Sequence, residues 1–302
     1  MNKRKILLMR GQPITLMPFS QDFSVNPSLA GWIIPGSAAV ASGKVSITPT
    51  LLPDVIVNGT FGADTDWDHD ATWVINGGVA AATASSTVLN EHVYPLTVDA
   101  WYQNVYTVLN RTAGGINAVF GNYLTGYRGG NGTYTHTGQC KTNSQFYFGV
   151  ATFTGQLDNV SCLPIKLSTM CMVRKFAASQ GTIKATTTNP NHYQHAGVVG
   201  WLDNPSNPLN LLIATNTKTT ASLYKYVNGV GTTLIVDVAI TYSAGAYLEI
   251  RRLAASNTFQ LWYNGSQVST DKTITDATII DNKYFGLFSA NGASGVGACS
   301  FQ

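Results

Sequence analysis

Short apolar runs broken by turn residues dominate the chain. In the second half they fall at 198–202, 209–214, 221–227, 234–239, 247–253, 258–263 and 284–289, with Gly, Asn-Pro or Asn-Gly between them. That spacing predicts the strands of an all-β sandwich. Asn264-Gly265, between Leu261-Trp262-Tyr263 and Gln267-Val268, predicts a type I′ hairpin, whose two central residues both need positive φ. Within 258–263, Phe259, Leu261 and Tyr263 share a face, which leaves Trp262 beside Gln260 on the other; Tyr224 and Tyr226 likewise share one side of 221–227. In 101–109, Tyr102, Asn104, Tyr106 and Val108 alternate with Trp101, Gln103, Val105, Thr107 and Leu109. Both faces carry large apolar groups, so a central strand is expected there. Residues 119–120, 129–134 and 146–150 supply further strands and turns, and no segment reads as a long amphipathic helix.

The pattern also sets the order of domains. From Pro18, Phe19, Phe23, Trp32, Val40, Val45 and Ile47 mark short strands that stop at Thr48-Pro49-Thr50-Leu51-Leu52-Pro53. About 30 residues are too few for a sandwich of their own. Residues 18–50 are therefore expected to complete a sandwich with 165–302, and 51–164 to form a second one inserted between them. Residues 1–17 are basic, then apolar, then interrupted by Gly11 and Pro13. They read as a short N-terminal arm, either a free terminus or a segment that docks on a larger assembly. The expected fold class is all-β, with two β-sandwiches (jelly rolls), the second inserted into the first.

Composition narrows the function. Charged residues make up 11% of the 302 positions, against about 25% in an average soluble protein. The net charge of +3 comes from scattered residues and leaves no footprint for nucleic acid. No apolar window is long enough for a membrane span, and the apolar part of the N-terminus stops at Arg10, short of a signal peptide core. Cys140, Cys162, Cys171 and Cys299 have neither metal nor disulfide spacing and read as buried, reduced thiols. Synthesis in a reducing cytoplasm fits.

Candidate chemistry is sparse. No Gly-x-Ser-x-Gly and no Gly-x-x-x-x-Gly-Lys occurs, and the only glutamates are Glu91 and Glu249. The run from Asp64 through Asp66 and Asp68 to Asp70 is an acidic cluster that suits a solvated turn, with calcium as the other reading. His192 and His195 fall on opposite sides of an extended chain and read as surface residues. What remains is aromatic surface. Sugar rings stack apolar C–H faces on Trp or Tyr while amides and guanidinium groups bind the hydroxyls, so Trp262, Tyr224 and Tyr226 are glycan-binding candidates. Tyr123, Tyr127 and Arg128, near a Gly-rich loop, form a second group. For each group, core packing is the competing explanation.

Two stretches resemble known families. Asn58-Gly59-Thr60-Phe61, then Trp67, Trp73 and Gly77-Gly78-Val79, closed by Phe153-Thr-Gly-Gln-Leu-Asp-Asn-Val-Ser161, is similar to galactose-binding-like, family 4/9-type carbohydrate-binding modules that recur in bacteriophage structural proteins. Tyr247-Leu-Glu-Ile-Arg-Arg, Phe259-Gln-Leu-Trp-Tyr-Asn-Gly-Ser-Gln-Val and Tyr284-Phe-Gly-Leu-Phe-Ser, with the earlier Gly197-Val-Val-Gly-Trp-Leu-Asp-Asn-Pro, resemble concanavalin A-like (LamG-type) lectin/glucanase jelly rolls. The first resemblance implies a structural calcium held in part by Asp158, although Gly62 stands where its acidic partner is expected. Beyond that calcium no cofactor is implied. The Glu-x-Asp-x-x-Glu pattern of the second family's hydrolases is absent, so a protein that is not an enzyme is expected. Together the resemblances imply a virion surface protein of a bacteriophage, as capsid decoration, head fibre or tail fibre, with host adhesion through glycans. Its partners would be other virion proteins, reached through the arm, and host-surface glycans, with neither nucleic acid nor membrane, and a homo-oligomer is expected. The alternatives are a secreted bacterial glycan-binding protein or accessory module of a polysaccharide-degrading enzyme, and a ligand-free structural component.

Overall fold

The computed structural model describes residues 19–301 except 94, 122, 142–144, 177–178, 189–194, 254–255 and 291–294, and the side chains of 123 and 295–301 are also outside the description. The expected arm, His192 and the Cys299 side chain therefore lie outside the described residues. Three antiparallel sheets account for nearly all of the regular structure. Among the described residues no helix is long and apolar enough to cross a membrane.

Two of the sheets face each other. The nine-strand sheet takes Phe19–Gln21, Ser37–Ala41 and Lys44–Thr48 from the start of the chain and adds Thr182–Thr188, Tyr247–Arg252, Thr258–Tyr263 and Gly295–Phe301 from the end. The six-strand sheet runs in the order Cys171–Lys175, Tyr284–Ser289, Ala196–Leu202, Leu211–Asn216, Thr220–Val227, Val230–Ala239. Val45, Ile47, Ile250, Phe259 and Leu261 of the first sheet meet Val198, Leu212, Leu223 and Leu287 of the second in one core. Trp201 joins this core through a register shift between Val199 and Leu202, and its ring meets Phe259 and Phe285 edge-on, each at 4.9 Å. Asn264 and Gly265 both have positive φ, 48° and 78°, so the expected hairpin forms and pairs Tyr263 with Ser266.

The third sheet is built only from strands between Trp67 and Ile165. Its frame is two strands of 20 residues, Trp101–Phe120 and Phe146–Ile165, paired along most of their length. Register shifts between Ala151 and Gln156 divide the second strand, so that residues 146–148 pair with Leu89–Glu91 and residues 153–157 with Val79–Ser85. The expected strand at 101–109 is thus the first half of a longer one, and 119–120 is its far end rather than a separate strand. Trp67, Trp73, Phe146, Phe148 and Phe153 fill this core, with Trp73 stacked on Phe153 at 6.1 Å.

The six-strand sheet is buried on both faces. Alternation along its strands sends Met172, Leu212 and Leu223 to the first core and Val173, Ile213 and Tyr224 to the opposite side. On that side they pack, with Val199, Leu211, Tyr226 and Phe288, against Trp101 and Ile165 of the inserted sheet. This double burial explains why Ala196–Leu202 and Leu211–Asn216 are buried at every position and read as continuous apolar runs. The Trp101 indole meets His195 and Phe288 at 5.2 Å and Tyr224 at 5.7 Å. Its N–H donates to the Tyr226 hydroxyl at 3.0 Å; the Gln139 amide donates to the same oxygen at 2.8 Å, and that hydroxyl donates to the Asp99 carbonyl at 2.9 Å. Lys141 and Asp237 form an ion pair across the same junction.

Removing the Tyr226 hydroxyl strands two buried donors, so Tyr226→Phe is expected to cost about 1–3 kcal/mol. Trp101→Ala is expected to cost about 3–5 kcal/mol. Urea unfolding followed by circular dichroism checks both, and a cost near zero for either would mean that the junction contributes no stability.

Candidate functional site

The nine-strand sheet keeps one face open, and Trp262 sits on it. Glu249 lies opposite Trp262 in register, Arg251 opposite Gln260, and Lys184 opposite Glu249. Because strands lie about 4.8 Å apart, these side chains form adjoining rows across the sheet. The Arg251 guanidinium lies over the Trp262 ring, 3.7 Å from its centroid, and is held by Glu249 Oε2 at 2.8 and 2.9 Å. The indole N–H donates to Gln260 Oε1 at 2.9 Å, and the Gln260 and Gln267 amides both donate to Asp271 Oδ1 at 2.8 Å. At the next register position Lys184 lies over the Tyr247 ring at 5.0 Å. The result is a half-exposed aromatic and guanidinium stack, fixed by buried Glu249 and framed by amides and a carboxylate. Sequence alternation placed Trp262 and Gln260 on this face, and the same signal in 247–252 places Glu249 and Arg251 there. Gln267 and Asp271 carry no such signal, because the hairpin turn brings them in.

The other sequence candidates are dispersed. Tyr224 and Tyr226 share a strand face as expected, but that face is the junction; they are 1% and 2% exposed and present no ring to an outside ligand. That expectation is corrected, and burial pushes both phenols well above their ordinary pKa. Tyr127 is 58% exposed, and Arg128 is tied by its backbone to Ile116 at 2.6 and 3.1 Å with its guanidinium over Tyr134 at 5.4 Å. The Tyr123 backbone pairs with Phe120, and its side chain is outside the described residues. His195, expected at the surface, is buried against Trp101, because its strand is covered by the inserted sheet.

The acidic residues do not converge. Asp64 bonds His69 at 2.8 Å, Asp66 accepts from Thr65 at 2.8 Å, and Asp68 lies 3.3 Å from His92. Asp158 accepts from the backbone and side chain of Asn159 at 2.6 and 3.0 Å. No group of three or more His, Cys, Asp or Glu side chains is placed to hold a metal among the described residues. The local bonds within the 64–70 run fit a solvated turn.

No protein-family model matches the chain, and no curated protein sequence matches it. Solved structures do. The carbohydrate-binding module CBM66 of Bacillus subtilis is 14% identical, over 44% of this chain and 82% of its own, with a TM-score of 0.34. The catalytic domain of an endo-1,3-β-glucanase (laminarinase) from Thermotoga petrophila is 8% identical, over 95% of this chain and 99% of its own, at 0.33. A β-glucanase from Bacillus licheniformis is 10% identical over the same shares at 0.30. The likeness is one of β-sheet architecture and assigns no residue a role. The expectation that the chain is not an enzyme is not upheld: structures that match along nearly all of it are named as glucanases. None of the three is named as a phage protein.

His195 yields a pH dependence. Burial pulls its imidazole down to about 4, whereas in the unfolded chain it titrates near 6.5. Between those values only the unfolded state takes up the proton, so stability present above pH ~6.5 is lost as pH falls toward ~4, at up to about 1.4 kcal/mol per pH unit. Urea unfolding at pH 7 and pH 5 is expected to show a smaller loss for His195→Gln than for the parent chain. Equal losses would refute the assignment.

Proposed function

We propose that the chain recognises glycans through the open face of the nine-strand sheet, with Trp262 and Arg251 as the stacking element. The carrying observation is the arrangement of Trp262, Arg251, Gln260 and Asp271, in which a half-exposed aromatic and guanidinium stack is held by side chains that can also bond hydroxyls. Each polar group in it already has a partner, so binding a sugar would exchange bonds rather than order loose side chains. Apolar C–H faces would rest on the indole and guanidinium, while Gln260, Gln267 and Asp271 would take the hydroxyls. The exposed Tyr127, beside Arg128, is a second and less connected surface.

A glycan array followed by affinity electrophoresis in soluble polysaccharides tests this. Trp262→Ala is expected to weaken binding about tenfold, in keeping with a lost aromatic stack, and Tyr127→Ala to have a smaller effect. Retention of full binding by Trp262→Ala would sink the platform.

The virion surface is retained as a proposal for where the protein works, and it rests on the sequence resemblance alone. Mass spectrometry of density-banded particles from a producing culture is expected to find the chain at stoichiometric copy number. Recovery only from the particle-free supernatant would favour a secreted glycan binder.

A further inference from the structure

A cavity of about 350 Å³ opens at the junction of the two sandwiches, lined by Val98, Asp99 and Lys141 of the insert and by Gly231, Thr232 and Val236 of the edge strand Val230–Ala239. A second, of about 170 Å³, shares Val98 and Asp99 and reaches in to Trp101 and Tyr226. The size is that of a small-ligand site, and junctions between domains are common places for one.

Asp99 is the unusual member. Its backbone has φ +67°, the left-handed conformation of a turn that the Ala100 N–H closes on the Thr97 carbonyl at 3.2 Å. Three hydrogen bonds hold it there. Its N–H donates to the Cys140 carbonyl at 2.7 Å, and its carbonyl accepts from the Tyr226 hydroxyl at 2.9 Å and the Gln139 amide at 3.1 Å. Gly231 completes the fit, since a Cβ on it would lie 2.6 Å from the Asp99 Cβ. All this effort fixes a half-buried carboxyl that accepts no hydrogen bond and makes no ion pair among the described residues. Burial raises its pKa. A carboxyl fixed in place by its backbone bonds, left uncommitted and lining a cavity is available to a ligand.

We propose that this cavity is a second saccharide site, taking a neutral pyranose whose hydroxyls bond to Asp99 and Thr232 and whose apolar face rests on Val98 and Val236. The charges argue for neutrality. Asp99 disfavours an anionic ligand, and the Lys141–Asp237 ion pair beside it is self-neutralised and calls for no counter-charge. Val98 and Val236 are 42% and 57% exposed, an apolar rim that a sugar ring would cover. The site is independent of the Trp262 platform, which lies on the other sheet.

The test is isothermal titration calorimetry of the full chain with methyl glycosides of glucose, galactose, mannose and xylose. At least one is expected to bind with a Kd at or below about 1 mM. Asp99→Gly removes the carboxyl at a position whose φ suits glycine, so it is expected to melt no lower than the parent while binding at least about tenfold more weakly. Thr232→Trp fills the cavity from an exposed position and is expected to abolish binding. In a Trp262→Ala background, which removes the platform, the two cavity variants are expected to cause the same losses. The proposal is overturned if no methyl glycoside binds, if binding survives both cavity variants, or if none is left for them to remove in the Trp262→Ala background.

Discussion

The hydroxyl of Tyr226 joins the two halves of this protein. It accepts from Trp101 and Gln139 and donates to the Asp99 carbonyl, so every bonding direction of a buried phenol is used. Trp101 and Gln139 come from strands of the inserted sheet, Asp99 from the turn before Trp101, and Tyr226 from the six-strand sheet. A buried polar node of this kind adds modest net stability, but leaving it half satisfied is costly, and it therefore fixes one docking geometry out of many that apolar packing alone would allow. The surrounding rings of Trp101, Tyr224 and Phe288 supply the buried area.

That docking decides where ligands can reach. With the insert seated on it, the six-strand sheet is open only along its edge strand, Val230–Ala239, and its tyrosines become packing residues. The open surface is left to the outer face of the nine-strand sheet, to the loops of the insert, and to the seam between the sandwiches. The outer face carries its own order in the bonds that run from Glu249 through Arg251 and from Trp262 through Gln260 to Asp271. The seam carries order imposed from below, through the same Tyr226 that holds the halves together.

Local features were legible in the sequence and long-range ones were not. Asn264-Gly265 declared its turn because positive φ at two successive residues is a local demand. Phe259, Leu261 and Tyr263 against Gln260 and Trp262 declared their faces because alternation is local too. Tyr224 and Tyr226 declared a shared face, but not what covers it, since the cover comes from Trp101 and Ile165, far off in the chain. His195 was misplaced for the same reason. Asp99 gave no signal at all, because its fixed position and its lack of a partner exist only once Gly231 and Tyr226 have been brought beside it.

The doubly covered sheet also bears on how such a chain could arise. Val173, Val199, Ile213 and Phe288 face away from the host core and are buried in the cluster that holds Trp101 and Ile165 of the insert. A host sandwich without the insert would present these residues to water as one contiguous apolar patch, the kind of surface that drives association. An ancestor lacking the insert would have needed polar side chains at those same alternate positions. The outward apolar face of the six-strand sheet and the ring of Trp101 thus bury each other, and removing residues 51–164 would leave that face to water.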